Sequence, residues 1–371
     1  MNPRRLTASL MAAAALGIAA PAALAAPSQY YGLLRSRDLT AFGFLRLDMR
    51  PAYAVSIEPG TWAIETELGY QNTWALSENV EEYLTSLEPT GRRDLGPDEY
   101  AAIQALPGEN YLLDLESASF DLTFHYKFSK NWTGYAIVSA VSYQGGFLDS
   151  TIESFHDAFG FSTFGRLGAK RNDINLIYDL KGAQVASFGS PTDGGFTDPT
   201  LGIRFSGIDM PEKWALSFEG AVKIPVGGER TLLSTGKTDV GVQMSVQRFY
   251  DHHALYLNLA AVYYAGAEFP VEQDATFVPT LIFGYEKAMT DRTNINLQGY
   301  ISKSVYDSDQ TDLDELLSEK YQLTLGVRHR INQFLISFGI TENLQNFNNT
   351  PDIGLQLGVA YLPSRVERTR K

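Results

Sequence analysis

The chain has no cysteine and only five histidines in 371 residues. The first absence excludes disulfide stapling and lipid attachment at a cysteine, so the mature fold is held by non-covalent forces alone. The second leaves few acid–base options among His125, His156, His252, His253 and His329. Catalytic and cofactor signatures are missing too: there is no G-x-S-x-G elbow, Walker loop, dinucleotide fingerprint or H-E-x-x-H. Neither a cofactor nor a metal site is expected. Basic residues are scarce, with 30 Lys and Arg against 43 Asp and Glu and a net charge of −13. Such a chain lacks the basic surface that displaces counterions from nucleic acid, which excludes that partner class. Beyond the first residues no stretch offers eighteen apolar positions, so no transmembrane helix is expected in the mature chain.

What is present begins with the leader MNPRRLTASLMAAAALGIAAPAALAAP. Arg4 and Arg5 make a positive n-region, Leu6 to Ala20 an apolar core, and Ala23-Leu24-Ala25 an A-x-A cleavage signal. This reads as a secretory signal peptide over 1–25, cut before Ala26. Its removal takes the net charge from −13 to −15. Glycine, at 32 residues, and aromatics, at 12%, are both plentiful, which suits one large β domain.

From Thr61 onward the chain alternates apolar and polar. Ile295, Leu297, Gly299 and Ile301 oppose Asn294, Asn296, Gln298 and Ser302; Leu323, Leu325 and Val327 oppose Gln322, Thr324 and Arg328. A period of two means strands with one apolar and one polar face. The pattern places strands near 61–75, 115–128, 132–144, 172–180, 183–189, 199–209, 213–225, 237–250, 253–266, 275–289, 293–306, 319–331, 333–342 and 352–362. Alternate connectors are tight, such as Ser129-Lys130-Asn131, Asp251-His252 and Asn332, whereas 76–114, 145–171, 227–236 and 307–318 are long. Short turns at one end and long loops at the other predict an all-β fold, a transmembrane antiparallel up-and-down β-barrel. Its strands number about fourteen; those at 172–180 and 183–189 are short and weakly patterned, which keeps twelve open.

In such a barrel the aromatics near segment ends form interfacial girdles; Trp62, Trp74, Trp132, Tyr143, Trp214, Tyr263, Tyr264, Tyr285, Tyr300, Tyr306, Tyr321 and Tyr361 are candidates. The polar faces line the lumen with Glu65, Glu67, Asp121, His125, Lys127, Arg204, Glu219, Lys223, Glu286, Arg328 and Arg330. These mixed charges either fill a closed interior with ion pairs or border a watery path. Residues 26–60 precede the first strand as a candidate lumen plug, the barrel proper covers 61–362, and 363–371 form a periplasmic tail.

The stretch GGFLDSTIESFHDAFGFSTFGR, 145–166, breaks the period of two. Leu148, Ile152, Phe155 and Phe159 follow helical spacing, and Asp149, Glu153 and His156 lie on the adjacent stripe. Carboxylates beside a histidine can bind a metal or serve acid–base chemistry. The competing reading is stronger: Ser150-Thr151-Ile152-Glu153 matches an S-x-x-E capping box and Gly160 is placed to end the helix. With Phe147, these residues make a candidate gate or plug helix between glycine hinges. The acidic run at 307–319 lacks the turn glycine of an EF-hand, so solvated loops facing lipopolysaccharide are expected there. Glu99 to Leu106 reads as a short helix after Pro97.

The same residues carry a resemblance. GGFLDSTIESFHDAFGF, preceded by LDLESASFDLTFHYKFSKNWTGYAIVSAVSYQ, resembles the hallmark of a Gram-negative envelope family, domain of unknown function 3187. The resemblance covers most of the mature chain and implies an outer-membrane β protein of unassigned activity. A shorter stretch, FTDPTLGIRF at 196–205, is similar to barrel families related to hydrophobic-compound uptake. The reading is therefore an outer-membrane barrel that passes or binds a small, apolar solute, with outer-membrane lipid and lipopolysaccharide as partners and the oligomeric state open. The alternatives are a closed structural barrel and an outer-membrane lipid hydrolase using His156 or His125 with Ser150 or Ser154.

Overall fold

The computed structural model describes residues 30–361 apart from 41, 53–57, 182, 188–193, 228–231, 268–271 and 346–347. The signal-peptide and tail expectations lie outside the described residues. Fifteen strands form one antiparallel sheet. They are β1 (Trp62–Leu76), β2 (Asn110–Lys127), β3 (Trp132–Gln144), β4 (Asn175–Leu180), β5 (Ala183–Ser187), β6 (Gly195–Phe196), β7 (Thr200–Phe205) and β8 (Trp214–Lys223). Then follow β9 (Asp239–Phe249), β10 (His253–Tyr264), β11 (Thr276–Ala288), β12 (Thr293–Ser302), β13 (Lys320–Ile331), β14 (Phe334–Gln345) and β15 (Ile353–Tyr361). The helices are α1 (Glu78–Leu87), α2 (Pro97–Gln104), α3 (Asp149–Phe159) and α4 (Asp314–Leu317).

From β1 to β3 and from β7 to β15 each wall strand pairs with the next in sequence, β3 pairs with β7 across the intervening segment, and β15 returns to β1 with Tyr361 opposite Ile64. The ring closes with twelve strands, the lower of the two expected counts. The pair that drops out is β4 and β5. They have only six and five residues, and β4 pairs with the Asn110–Asp114 end of β2, while β3 takes β7 as its wall partner. β2 is eighteen residues long, so its first turns project past the rim and carry this hairpin. Losing two strands together leaves both ends of the wall on the same side.

Alternation along the wall is clean. In β10, Leu255, Leu257, Leu259 and Tyr263 are exposed while Ala254, Tyr256, Asn258, Ala260 and Val262 are buried. Outward side chains such as Leu68 (52% exposed), Phe128 (51%) and Phe277 (57%) recur around the ring. A contiguous apolar belt of this extent is an aggregation hazard in water and the required surface in lipid. Among the described residues no helix is long and apolar enough to cross a membrane, so the strands do the crossing.

At the short-turn end the belt finishes in aromatics. Trp62 packs against Phe124 and Tyr361, Trp132 against Phe205, and Phe334 against Tyr361. Trp74, Tyr143 and Tyr264 do not join a girdle, since all three are buried. Trp74 points outward but lies under the 160s loop, giving its indole N–H to the Phe164 carbonyl at 2.8 Å. Tyr143 and Tyr264 point inward. The long 76–114 connector folds into α1, which the sequence did not suggest, and α2, which overlaps the short helix expected at 99–106. Val80, Leu84 and Ile103 of these helices pack with Trp74, Leu76, Leu112 and Ile177 on the outward face of the projecting β1–β2–β4 sheet.

Candidate functional site

The barrel interior is occupied by the described residues of 30–52. The segment enters at the short-turn end, where the Tyr30 ring lies 5.5 Å from Phe249, and climbs along β11 to β13. The Tyr31 and Gly32 N–H groups donate to the Glu286 carboxylate at 2.9 and 3.0 Å. Arg328 donates to the carbonyls of Tyr31, Gly32 and Leu33, and Gln298 accepts from Leu34 N–H at 3.0 Å. Near the loop end a 3-10 turn over Gly43–Leu45 reverses the chain. It returns past Asp239, which accepts from Leu47 N–H at 3.0 Å, to Ala52, which donates to Asn258 at 3.2 Å. An extended segment with no ladder of its own has its backbone groups satisfied by wall side chains instead.

Two kinds of seat hold it. The first is ionic. Arg37 and Arg50, from the two limbs, meet opposite oxygens of Asp121 at 2.9 and 3.0 Å, and the Ser139 hydroxyl also donates there. Arg35 pairs with Glu65 at 3.0 Å, Glu65 meets His125 at 3.2 Å, and Asp38 takes Lys320 at 2.6 Å. The second seat is steric. A Cβ at Gly326 would stand 2.4 Å from Leu34, one at Gly354 2.4 Å from Leu39, and one at Gly284 2.4 Å from Leu33. These glycines fall on the inward face of their strands, so their missing side chains make sockets for the segment's leucines.

The wall residues singled out from alternation all take inward positions. Asp121, His125, Arg204, Glu219, Lys223, Glu286, Arg328 and Arg330 are buried, and Glu65, Glu67 and Lys127 are half-buried. Arg204 pairs with Glu219; Lys223 reaches Asp198 at 3.2 Å, Asp239 at 3.3 Å and the Leu45 carbonyl at 3.0 Å. Sequence reasoning missed the partners on 30–52, although LRLDMR at 45–50 alternates apolar and charged residues just as a strand does. It also passed over glycines recurring on the polar faces. One small cavity, of about 20 Å³, lies between Arg37, Arg46, Asp48, Arg50, Ser139 and Lys223, room for roughly one water. Above it the mouth is apolar, with Phe42, Phe44 and Leu45 packed among Tyr111, Leu113, Tyr143, Tyr178 and Leu316.

The helix of 145–166 lies on the other side of the wall. The expected capping box does not form: α3 starts at Asp149 with no side-chain cap, and Ser150 is already helical. Its N-terminus is held by Glu116 of β2, whose carboxylate accepts from the Phe147 and Leu148 N–H groups at 3.0 and 2.6 Å. This satisfies donors that a helix start leaves open. Gly146 permits the approach, with φ +80° and an added Cβ only 1.9 Å from Glu116. Gly160, at φ 68°, ends the helix in the left-handed conformation.

Asp149, Glu153 and His156 do not converge. Asp149 binds Arg166 at 3.0 Å, Glu153 bridges Arg92 and Arg171, and His156 Nδ1 contacts the Ser162 carbonyl at 2.8 Å. Arg166 also pairs with Asp352, whose carboxyl burial raises above its ordinary value while Arg166 opposes the rise. Asn72 and Glu116 point outward, so the contacts of α3 attach it to the outer rim and leave the lumen to 30–52. Among the described residues no group of three or more His, Asp or Glu is placed to hold a metal.

A closed ring of twelve antiparallel strands, apolar outside and charged within, is a membrane-spanning β-barrel of the outer-membrane type. The chain belongs to the family described as Protein of unknown function (DUF3187), whose pattern matches residues 97–362. No curated protein matches it. Among solved structures it is similar to the COG4313 outer membrane channel from Pseudomonas putida F1, at 11% identity and TM-score 0.48 over 82% of this chain and 96% of that one. The translocator domain of the autotransporter NalP from Neisseria meningitidis shows 9% identity and TM-score 0.40 over 82% and 90%. The P. putida toluene transporter TodX shows 10% and 0.36 over 82% and 89%.

Proposed function

We propose that this protein is a channel in the outer membrane of a Gram-negative bacterium, closed in the described state by residues 30–52 acting as a plug. The observation that carries this reading is how the segment is seated. It is a separate strand-like piece lying against the wall through side-chain contacts, with leucines in glycine sockets and arginines on wall carboxylates. Contacts of that kind can part without breaking the barrel's hydrogen-bond ladder. Transport then requires the plug to shift, and Asp121 is the pivot because it clamps both limbs. A small apolar solute fits the mouth, where aromatic and aliphatic side chains surround the plug tip.

The rival reading is a closed structural barrel, favoured by the dense interior pairing and the small residual cavity. Planar-bilayer conductance separates the two. Gly326→Leu with Gly354→Leu fills the sockets of Leu34 and Leu39, and this variant is expected to conduct where the parent is mostly silent. Liposomes carrying it should take up small aromatic solutes faster than empty ones. A barrel that stays silent with its sockets filled is structural. Of the residues of the hydrolase alternative, the Ser154 hydroxyl donates to the Ser150 carbonyl, His156 Nδ1 meets the Ser162 carbonyl, and His125 is buried against Glu65.

A further inference from the structure

We infer that α3 is an interfacial helix whose phenylalanine edge lies in the acyl chains of the outer leaflet, continuing the barrel's lipid-facing belt beyond the wall. The inference does not rest on the channel reading. Its first support is exposure of the wrong chemistry for water: Phe147 is 63% exposed, Phe155 39% and Phe159 60%, within one short segment. The rings of Phe155, Phe159 and Phe161 cluster at 4.7 to 6.1 Å, so they present one apolar patch. Scattered surface phenylalanines need no explanation, but a contiguous set does.

The second support is continuity. Phe147 stacks on Tyr70 at 5.0 Å. Tyr70 is the next outward residue after Trp62, Ile64, Thr66 and Leu68 on β1, so Phe147, which leads into the helix, continues an outward row in which Thr66 is the one polar member. The third is height. From Trp62, in the lower aromatic girdle, to Tyr70 is eight residues, or roughly 20 Å along the normal for a strand tilted near 40°. That is close to the top of an apolar band of about 25 Å. Above it the outward residues Trp74 and Leu76 are covered by protein.

The fourth is the helix itself. At 100° per residue, Leu148, Ile152, Phe155 and Phe159 fall on one edge and Asp149, Glu153 and His156 on the next. The second edge is tied to the loops through Arg166, Arg92 and Arg171. Ser154 and Asp157 lie opposite and are exposed. Leu148 and Ile152, at the start of the first edge, are buried on protein, and Phe155 and Phe159, at its end, are exposed. This gives a helix lying in an interface, with its phenylalanines toward acyl chains and its far side toward water.

The absence of native cysteine makes the test direct. Single-cysteine variants of the full chain would be labelled with an environment-sensitive fluorophore and inserted into phosphatidylcholine vesicles, with and without lipids brominated on the acyl chain. Labels at Phe155→Cys and Phe159→Cys should be quenched about as strongly as a belt label at Phe120→Cys. Labels at Ser154→Cys and Asp157→Cys should keep their emission. Adding Phe155→Asp to the Phe159→Cys protein should relieve most of the rim quenching, whereas adding it to Phe120→Cys should leave the belt signal unchanged. Rim labels that emit as in water, beside a quenched belt label, would overturn the inference. So would equal quenching at all four helix positions, which places the whole helix at one depth.

Discussion

Two pieces of chain are added to the barrel wall, and they sit on opposite faces of the same strands. Residues 30–52 run inside, and the helix at 149–159 rests on the outer rim. Both hold leucines or phenylalanines beside charged residues, and both rely on wall groups to satisfy their backbone. The neighbours differ. Inside, Glu65 and Asp121 meet the segment's arginines at side-chain exposures of 12% or less, where water screens them little. At the rim, Glu153 meets Arg92 and Arg171 at 27% and 47% side-chain exposure. The same carboxylate–guanidinium chemistry therefore carries different weight on the two faces, because dielectric and screening set its strength.

The sharpest test makes the same change on each side. Asp121→Asn leaves Arg37 and Arg50 buried on one neutral amide and is expected to cost about 3–5 kcal/mol in urea unfolding of the membrane-inserted barrel. Should it cost no more than the rim counterpart, the inner seat is wetter than the structure implies. Next comes Leu34→Ala, which empties a socket between Gly326 and Gly339. A loss of about 2–5 kcal/mol, read from the same curves, would show that the plug's apolar seat contributes to global stability. If only protease cleavage within 30–52 rises, the segment opens independently of the wall. Gly146→Ala should loosen the rim helix by about 1–3 kcal/mol, because it forces a methyl onto Glu116 at positive φ. Hydrogen exchange across 147–160 should accelerate while the wall stays protected. Smallest is Glu153→Gln, below about 1 kcal/mol given the exposure of its arginines. A larger loss would mean that the rim pair is shielded, as it would be by lipid headgroups.

The wall was readable because every strand buries one face and exposes the other, so each residue carries the same signal as its neighbour two positions on. The observed β3, Trp132–Gln144, coincides with the expected 132–144. The short pair at 172–189 does form strands, β4 and β5, but on a sheet that projects above the rim, and β4 is buried on both faces. Period reveals a strand and not its partner. The candidate site was half legible. Wall carboxylates such as Asp121 stood out from their polar face, but the arginines that meet them lie some seventy to ninety residues away in a segment without a partner strand. The capping box at Ser150 failed for a related reason: Glu116, more than thirty residues earlier, reached the helix start first and left Glu153 to the arginines.

By itself the amino-acid sequence determined the class of object: strands with a period of two, tight and long connectors in alternation, and no cysteine or spanning helix. These are local properties, set by side-chain chemistry along one strand. Tertiary structure alone decided that twelve strands close the ring, that 30–52 fill it, and that the helix with the Gly-Gly-Phe-Leu-Asp start goes outside. Those outcomes depend on which distant groups meet, and burial fixes their strength only once the ring has formed.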